Sequence, residues 1–394
     1  MTTKNNIPAG YKDSAVGIIP QEWEVKRLGL VCNFLDNQRI PIKDVDRLGM
    51  HGPYPYYGAS GIIDYVNDYI FDDELILLGE DGANIINRST PLAFMVEGKI
   101  WVNNHAHVLR PIEPNSRFYI CSYLESISYD KYNTGTAQPK LNREVCEKIL
   151  IPVPPMEEQR KIAEILGMWD EAIEKQSRLI EKLELRKRGL MQRLLTGRTR
   201  LSGFTTPWQK VKLGEIFKER NETKCEHLPL LSITAERGVI LQSESDKKDT
   251  SNDDKSKYKR ICPNDIGYNT MRMWQGRSAL SAMEGIVSPA YTIVTPKVGI
   301  DPLFISELIK QPRVVYDFWT HSQGLVGDTL NCKFHDFSQV KVAIPSLPEQ
   351  KVIAEVLTTA DDEIATHRKK LDALRLQKRG LMQQLLTGKT RVKI

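Results

Sequence analysis

Gln159-Arg-Lys-Ile-Ala-Glu-Ile-Leu166 returns 191 residues later as Gln350-Lys-Val-Ile-Ala-Glu-Val-Leu357. Lys187-Arg-Gly-Leu-Met-Gln-Arg-Leu-Leu-Thr-Gly197 likewise returns as Lys378-Arg-Gly-Leu-Met-Gln-Gln-Leu-Leu-Thr-Gly388. Across Gln159–Arg200 and Gln350–Arg391, 21 of 42 positions are identical. In the second copy the apolar positions are Ile353, Leu357, Ala360, Ile364, Leu371, Leu374, Leu381 and Leu385, with His367 and Lys378 completing the series. The first copy gives Ile162, Leu166, Trp169, Ile173, Ile180, Leu183, Leu190 and Leu194, with Gln176 and Lys187 at the matching polar places. Steps of four and three sustained over about five heptads predict two long helices, each needing a partner. Pro155 and Pro348 mark their starts, and Gly197 and Gly388 their ends.

Charge sets the direction of packing. Glu157 to Glu174 holds six acids and two bases, whereas Leu185 to Arg200 holds six bases and no acid. The second helix repeats this bias. Parallel packing would oppose like charges; antiparallel packing opposes unlike charges and also the helix dipoles. In register, Gln176 then faces His367, a polar layer that fixes alignment at some cost in stability. Helices of about 40 residues span about 60 Å. They would hold the flanking modules at opposite ends about a pseudo-two-fold axis and bring the exit of the second helix to the start of the first module.

The duplication extends into those modules. Trp23-Glu-Val-Lys-Arg-Leu-Gly29 matches Trp208-Gln-Lys-Val-Lys-Leu-Gly214 at an offset of 185, and both tryptophans are expected in cores. Pro111, closing Ala106–Arg110, matches Pro296, closing Tyr291–Thr295. Phe118–Leu124 and Leu303–Ile309 read as matched short helices. Between them, β-like runs such as Glu74–Leu78 and Lys99–Val102 alternate with glycine and asparagine turns. The expected fold is α+β: two mixed α/β modules, each with a curved, mostly antiparallel sheet, joined by two long helices forming an antiparallel coiled coil. The expected boundaries are 1–154 and 201–346 for the modules, and 155–200 and 347–394 for the spacer helices.

Composition narrows the class. The chain has 394 residues, 41% of them hydrophobic, enough for more than one core. A net charge of +5 permits an anionic partner without demanding one. The six cysteines form no C-x-x-C pair and are expected as reduced thiols. The polar start Met1-Thr-Thr-Lys-Asn-Asn6 and the lack of an apolar run near 18 residues lead us to expect a soluble cytoplasmic protein with no membrane contact.

The repeated helix with its Lys-Arg-Gly-Leu-Met-Gln core is one half of a recognisable pattern. The entry Ile151-Pro-Val-Pro-Pro-Met-Glu-Glu-Gln159 and its echo Ile344-Pro-Ser-Leu-Pro-Glu-Gln350 are the other. With Tyr54-Pro-Tyr-Tyr-Gly-Ala-Ser60, Asn103-Asn-His-Ala-His-Val-Leu109 and Gly135-Thr-Ala-Gln-Pro-Lys-Leu141, the chain resembles the specificity subunit of Type I restriction-modification systems along essentially its whole length. The resemblance implies two target-recognition domains, two spacer helices, and docking to modification (methyltransferase) subunits, two copies, and to a restriction subunit. The second module departs from the pattern, carrying Ser322-Gln-Gly-Leu-Val-Gly327 where the first has Gln-Pro-Lys.

Such a protein would read double-stranded DNA as an asymmetric bipartite target, one module per half-site, with half-sites about 34 Å apart lying on one face of the duplex. In the first module the candidates for DNA contact are Tyr56, Tyr57, Ser60, Asn84, His105, Thr136, Gln138 and Lys140. In the second they are Asn269, Arg272, Trp274, Gln275, Arg277, Ser322 and Gln323. Asn and Gln suit adenine; Lys and Arg suit guanine or phosphate. The competing reading of each is an exposed turn or a core aromatic. Asp246–Lys257 reads as a charge-mixed surface loop.

No catalytic set emerges. An adenine methyltransferase needs an Asn/Asp-Pro-Pro-Tyr/Phe motif and a Gly-rich cofactor strand; Ser288-Pro-Ala-Tyr291 is only a shadow of the first. Gly388-Lys-Thr390 lacks the upstream glycine of a phosphate loop. His105-Ala-His107 lacks a third metal ligand. The expectation is a non-catalytic DNA-reading subunit with no cofactor and no metal. The alternative is a non-enzymatic coiled-coil scaffold for protein interactions.

Overall fold

The computed structural model describes residues 7–112, 117–135, 137–234, 237–245, 252–324 and 330–393. The chain divides into two compact units: Met1–Ser177 with Lys369–Ile394, and Arg178–Arg368. Each unit therefore takes one module and part of each long helix. No described helix is long and apolar enough to cross a membrane. All six cysteines are free.

The first unit is built on six strands: β1 (Cys32–Phe34), β2 (His51–Gly58), β3 (Gly61–Val66), β4 (Phe71–Gly79), β5 (Ala93–Val102) and β6 (Ala106–Pro111). Their order is β1-β6-β4-β5-β2-β3, antiparallel throughout except for β2 beside β5. Central β4 is apolar on both faces (Leu75 to Leu78 are all buried), as a strand covered on both sides must be. In the second unit a sheet of β7 (Phe217–Arg220), β8 (Ile266–Asn269), β9 (Ser278–Leu280) and β10 (Tyr291–Pro296) has the order β7-β10-β8-β9. That is the order of β1-β6-β4-β5. Register agrees as well: Cys32 lies opposite Pro111 and Phe217 opposite Pro296, both members displaced by 185.

The long helices are α1 (Met156–Leu194) and α2 (Leu347–Leu385). In the first unit Ile162 and Leu166 of α1 share a core with Met382, Leu385 and Leu386 from the end of α2. In the second, Leu194 and Leu195 pack with Ile353, Ala354 and Leu357. Rising numbers on one helix meet falling numbers on the other. Arg368 Nη2 reaches Glu184 at 2.6 Å, Lys187 Nζ reaches Asp361 at 2.6 Å, and Arg186 pairs with Glu363. Lys378 pairs with Asp170 in the first unit. Within each unit the helix segments are thus antiparallel, as their charges predict. These pairs are solvent-exposed and each adds only ~0–1 kcal/mol; the apolar seam supplies most of the cohesion.

A buried lock closes each helix entry. Glu158, in the first turn of α1, is 0% exposed. It accepts from Trp23 Nε1 at 2.8 Å and from Arg391 Nε and Nη2 at 2.7 and 2.9 Å. Glu349 repeats this at 1% exposure, accepting from Arg200 Nε and Nη2 at 2.6 and 2.7 Å and more distantly from Trp208. The next residue, Gln159 or Gln350, clasps the entry loop through Pro154 O or Pro345 O at 2.8 and 2.9 Å. Both arginines lie three residues beyond a left-handed glycine, Gly197 (φ 68°) or Gly388 (φ 71°), where the chain turns back. A Cβ on Gly388 would meet Pro20 Cδ at 2.3 Å, so no other residue fits. Tyr11 donates its hydroxyl to Gly388 O at 3.0 Å. The exit of α2 does lie against the start of the first module.

Candidate nucleic-acid interface

In the first unit one end of the sheet gathers three segments distant in sequence. Glu80, just past β4, donates its N–H to His105 O at 2.8 Å and accepts from Leu141 N at 2.7 Å. Gly82 N donates to Pro139 O at 3.1 Å, and Asp81 bridges Lys140. Asn133 Oδ1 ties the intervening loop by accepting from Gly135 N at 3.0 Å and Lys140 N at 2.9 Å. A Cβ on Gly135 would lie 1.8 Å from Gln138 O, so the loop closes only around glycine. Asn103, past β5, donates its N–H to Tyr57 O at 3.0 Å, which brings the β2–β3 turn with exposed Ser60 to the same end.

Four of the first module's candidates, Ser60, His105, Gln138 and Lys140, are exposed at this end. His105 Nδ1 lies 2.8 Å from Asp81 Oδ2, and Lys140 Nζ lies 3.4 Å from Glu80 Oε1. Three others serve the fold. Tyr56 is 2% exposed, its ring packed with Val66 and Trp101 and its hydroxyl accepting from Ile42 N at 3.1 Å. A ring so enclosed does not reach a base edge, and this corrects its assignment. Tyr57 is half-buried against Phe94. Asn84 spends its amide on its own loop, bonding Thr90 O, Thr90 N and Ser89 Oγ. Thr136 lies outside the described residues.

Beneath this surface sits a charged network that sequence reasoning missed. His107 is 1% exposed, with Nδ1 at 2.7 Å from Asp36 Oδ2 and Nε2 at 2.8 Å from Leu141 O. Two acceptors demand two N–H donors, so the ring is an imidazolium. Burial alone would lower its pKa; the bond to Asp36, helped by Cys146, outweighs burial and pushes it up to about 10. Burial likewise opposes ionisation of Asp36, but His107 and Arg39 hold its carboxyl below the usual range. Arg39 Nη1 donates to Glu80 Oε2 at 2.8 Å and to Ala106 O at 2.7 Å. The available signal was the acidic pair Glu80-Asp81 directly after an apolar strand.

The second unit builds the same corner from other residues. Thr270 N donates to Ala290 O at 3.2 Å, and Thr270 O accepts from Cys332 N at 2.9 Å, matching Glu80 with His105 and Leu141. Asn331 and Gln323 exchange backbone bonds at 2.8 and 2.9 Å, so the Ser322-Gln323 segment joins the 269–277 loop. Arg272, Gln275 and Arg277 are exposed, with no side-chain hydrogen bond or ion pair to the described residues. The other candidates support the loops: Asn269 Oδ1 accepts from Met271 N, Trp274 Nε1 donates to Met271 O, Ser322 Oγ donates to Phe318 O, and Gln323 Nε2 donates to Asp336 Oδ1. Among the described residues no three His, Cys, Asp or Glu side chains gather as metal ligands.

The two modules share one four-strand order and one corner geometry, but they expose different donors. The family of the Type I restriction modification DNA specificity domain matches residues 20–185 and 305–376. That is more than half of the chain, and the chain belongs to this family: it is a specificity subunit, a DNA-recognition component without a catalytic role of its own. It is similar to the type I restriction enzyme MjaVIII specificity subunit of Methanocaldococcus jannaschii, 27% identical over 424 residues covering 95% of this chain and 94% of that one. Its fold is similar to that of the Type I S subunit from M. genitalium, with TM-score 0.56 and 14% identity over 98% of both chains. A second solved structure, from work on assembly of the type I R-M system, also has TM-score 0.56, with 17% identity over 94% of this chain and 99% of that one.

Proposed function

We propose that this chain reads an asymmetric bipartite DNA target, one half-site per module, and carries the modification subunits to it. The observation that supports this most is the shared corner: the same backbone bonds at Glu80 and Thr270 present Ser60, His105, Gln138 and Lys140 in one module and Arg272, Gln275 and Arg277 in the other. Unlike donors on like scaffolds suit unlike half-sites. In this reading α1 and α2 form one antiparallel coiled-coil spacer, and the module boundaries fall near residues 154, 200 and 346. Two methyltransferase subunits dock on the helices, one per half, and a restriction subunit joins them. In support, each helix exposes a leucine at the matched position, Leu185 at 63% and Leu376 at 66%.

Random duplex DNA titrated across a salt series tests the reading at its base. Affinity should fall steeply with salt through counterion release; salt-insensitive or absent binding would defeat it. Mapping methylated adenines in cells that carry the intact system would then give the target. Against that target, Gln138→Ala should lose about 1–3 kcal/mol of discrimination at one position of one half-site and leave the other half-site unchanged. A uniform loss at every position would remove Gln138 from base readout.

A further inference from the structure

The second module is open where the first is filled. In the first, Asp36, His107, Glu80 and Arg39 compensate one another's charge beneath the surface. The ladder gives the matching positions in the second. Phe34 lies opposite Leu109 and Glu219 opposite Val294, which sets Asn221 at the place of Asp36. Leu78 lies opposite His107 and Tyr268 opposite Thr292, which sets Thr292 at the place of His107. The corner bonds set Thr270 at the place of Glu80. All three replacements are neutral.

These residues line an open groove of about 720 Å3, with Lys259, Lys333 and His335 on its walls. Thr270 Oγ1 and Thr292 Oγ1 lie 3.1 Å apart, and Thr270 Oγ1 also donates to Ala290 O at 2.8 Å. Neither lysine has an ion pair among the described residues, and Glu219 is the single acid among the residues lining the groove. Met271 also lines the groove and leads straight into Arg272. A concave polar surface with uncompensated cations concentrates positive potential, and its complement is an external anion. Duplex DNA offers one phosphate charge per ~1.7 Å of axis.

We propose that this groove seats the sugar–phosphate backbone of one DNA strand, with Lys259 and Lys333 on phosphate oxygens, while the adjoining Arg272–Arg277 loop meets base edges. The inference rests on the DNA-reading proposal above.

The test uses the full chain and a random-sequence duplex, titrated from low to moderate salt. Lys259→Gln and Lys333→Gln should each lower the slope of log K against log salt by about 0.9 and weaken binding severalfold at fixed salt. Asn221→Asp, which returns a carboxylate to the groove, should weaken binding in the same direction. Lys310→Ala is the control in the same unit, because its ammonium already bonds Glu307 at 2.9 Å; its slope should equal that of the unaltered chain. Circular dichroism confirms that each variant folds. If the groove variants keep the parent slope while the parent binds DNA, the groove assignment is overturned and the DNA-reading proposal stands. If the parent shows no salt-dependent binding, both fall.

Discussion

Arg391→Ala is expected to destabilise the first unit by about 3 kcal/mol. Removing one partner of a buried ion pair leaves an uncompensated charge, and such losses run to about 3–5 kcal/mol. The lower figure applies because the arginine is itself one-third exposed, whereas Glu158 is fully enclosed. After the change Glu158 keeps one donor, Trp23 Nε1. Glu158→Gln combined with Arg391→Ala should restore part of the loss, because a neutral amide is cheaper to bury than a lone carboxylate. Hydrogen exchange read by mass spectrometry localises the effect: protection should fall in the first unit and hold in residues 178–368. Arg200→Ala should do the converse through Glu349. If the Arg391→Ala double and single variants were equally unstable, the penalty would not come from a stranded charge.

His107→Gln should cost on the order of 4 kcal/mol at pH 6, and the cost should shrink as pH rises. The ring's pKa is raised from an ordinary value near 6.5 to about 10 in the folded chain. A group raised in this way contributes fully below its unfolded pKa, at about 1.36 kcal/mol per unit. The contribution declines above pH 6.5 and is gone once pH has risen through 10. On the acid side Asp36 acts in the opposite sense: its pKa is lowered, so its share is lost as pH falls through the folded value. Urea unfolding of parent and variant at pH 6, 8 and 10 would show the gap closing. A gap constant across that range would mean that His107 is neutral when folded.

The long helices were legible because their information is local and periodic. Every apolar seam position from Ile162 to Leu194 is buried or half-buried, and the acid-to-base gradient gave the sense of packing seen in the Lys187–Asp361 pair. The strand landmarks were legible through the repeat, since Pro111 and Pro296 end matched strands. The locks were not. Arg200 and Arg391 read as ordinary basic helix ends, and nothing local says that the chain turns back at a left-handed glycine to reach a glutamate more than a hundred residues away. The DNA candidates divide for a related reason. Polar loop residues can bind outward or tie the loop inward, and the choice depends on backbone groups brought near by the fold. Asn84 and Asn269 tie their loops, while Gln138, Arg272 and Arg277 remain outward. Tyr56 sits in an aromatic-rich strand whose alternation did not reveal which ring turns in.

Residues 178–368 are one unbroken stretch of chain, whereas the first unit needs residues 369–394 to complete its core and to supply Arg391. A ribosome therefore delivers everything the second unit requires while the first still lacks Met382, Leu385 and the arginine for Glu158. The half translated earliest is the half finished last, and until then its apolar helix entry is left to the care of the nascent chain's surroundings.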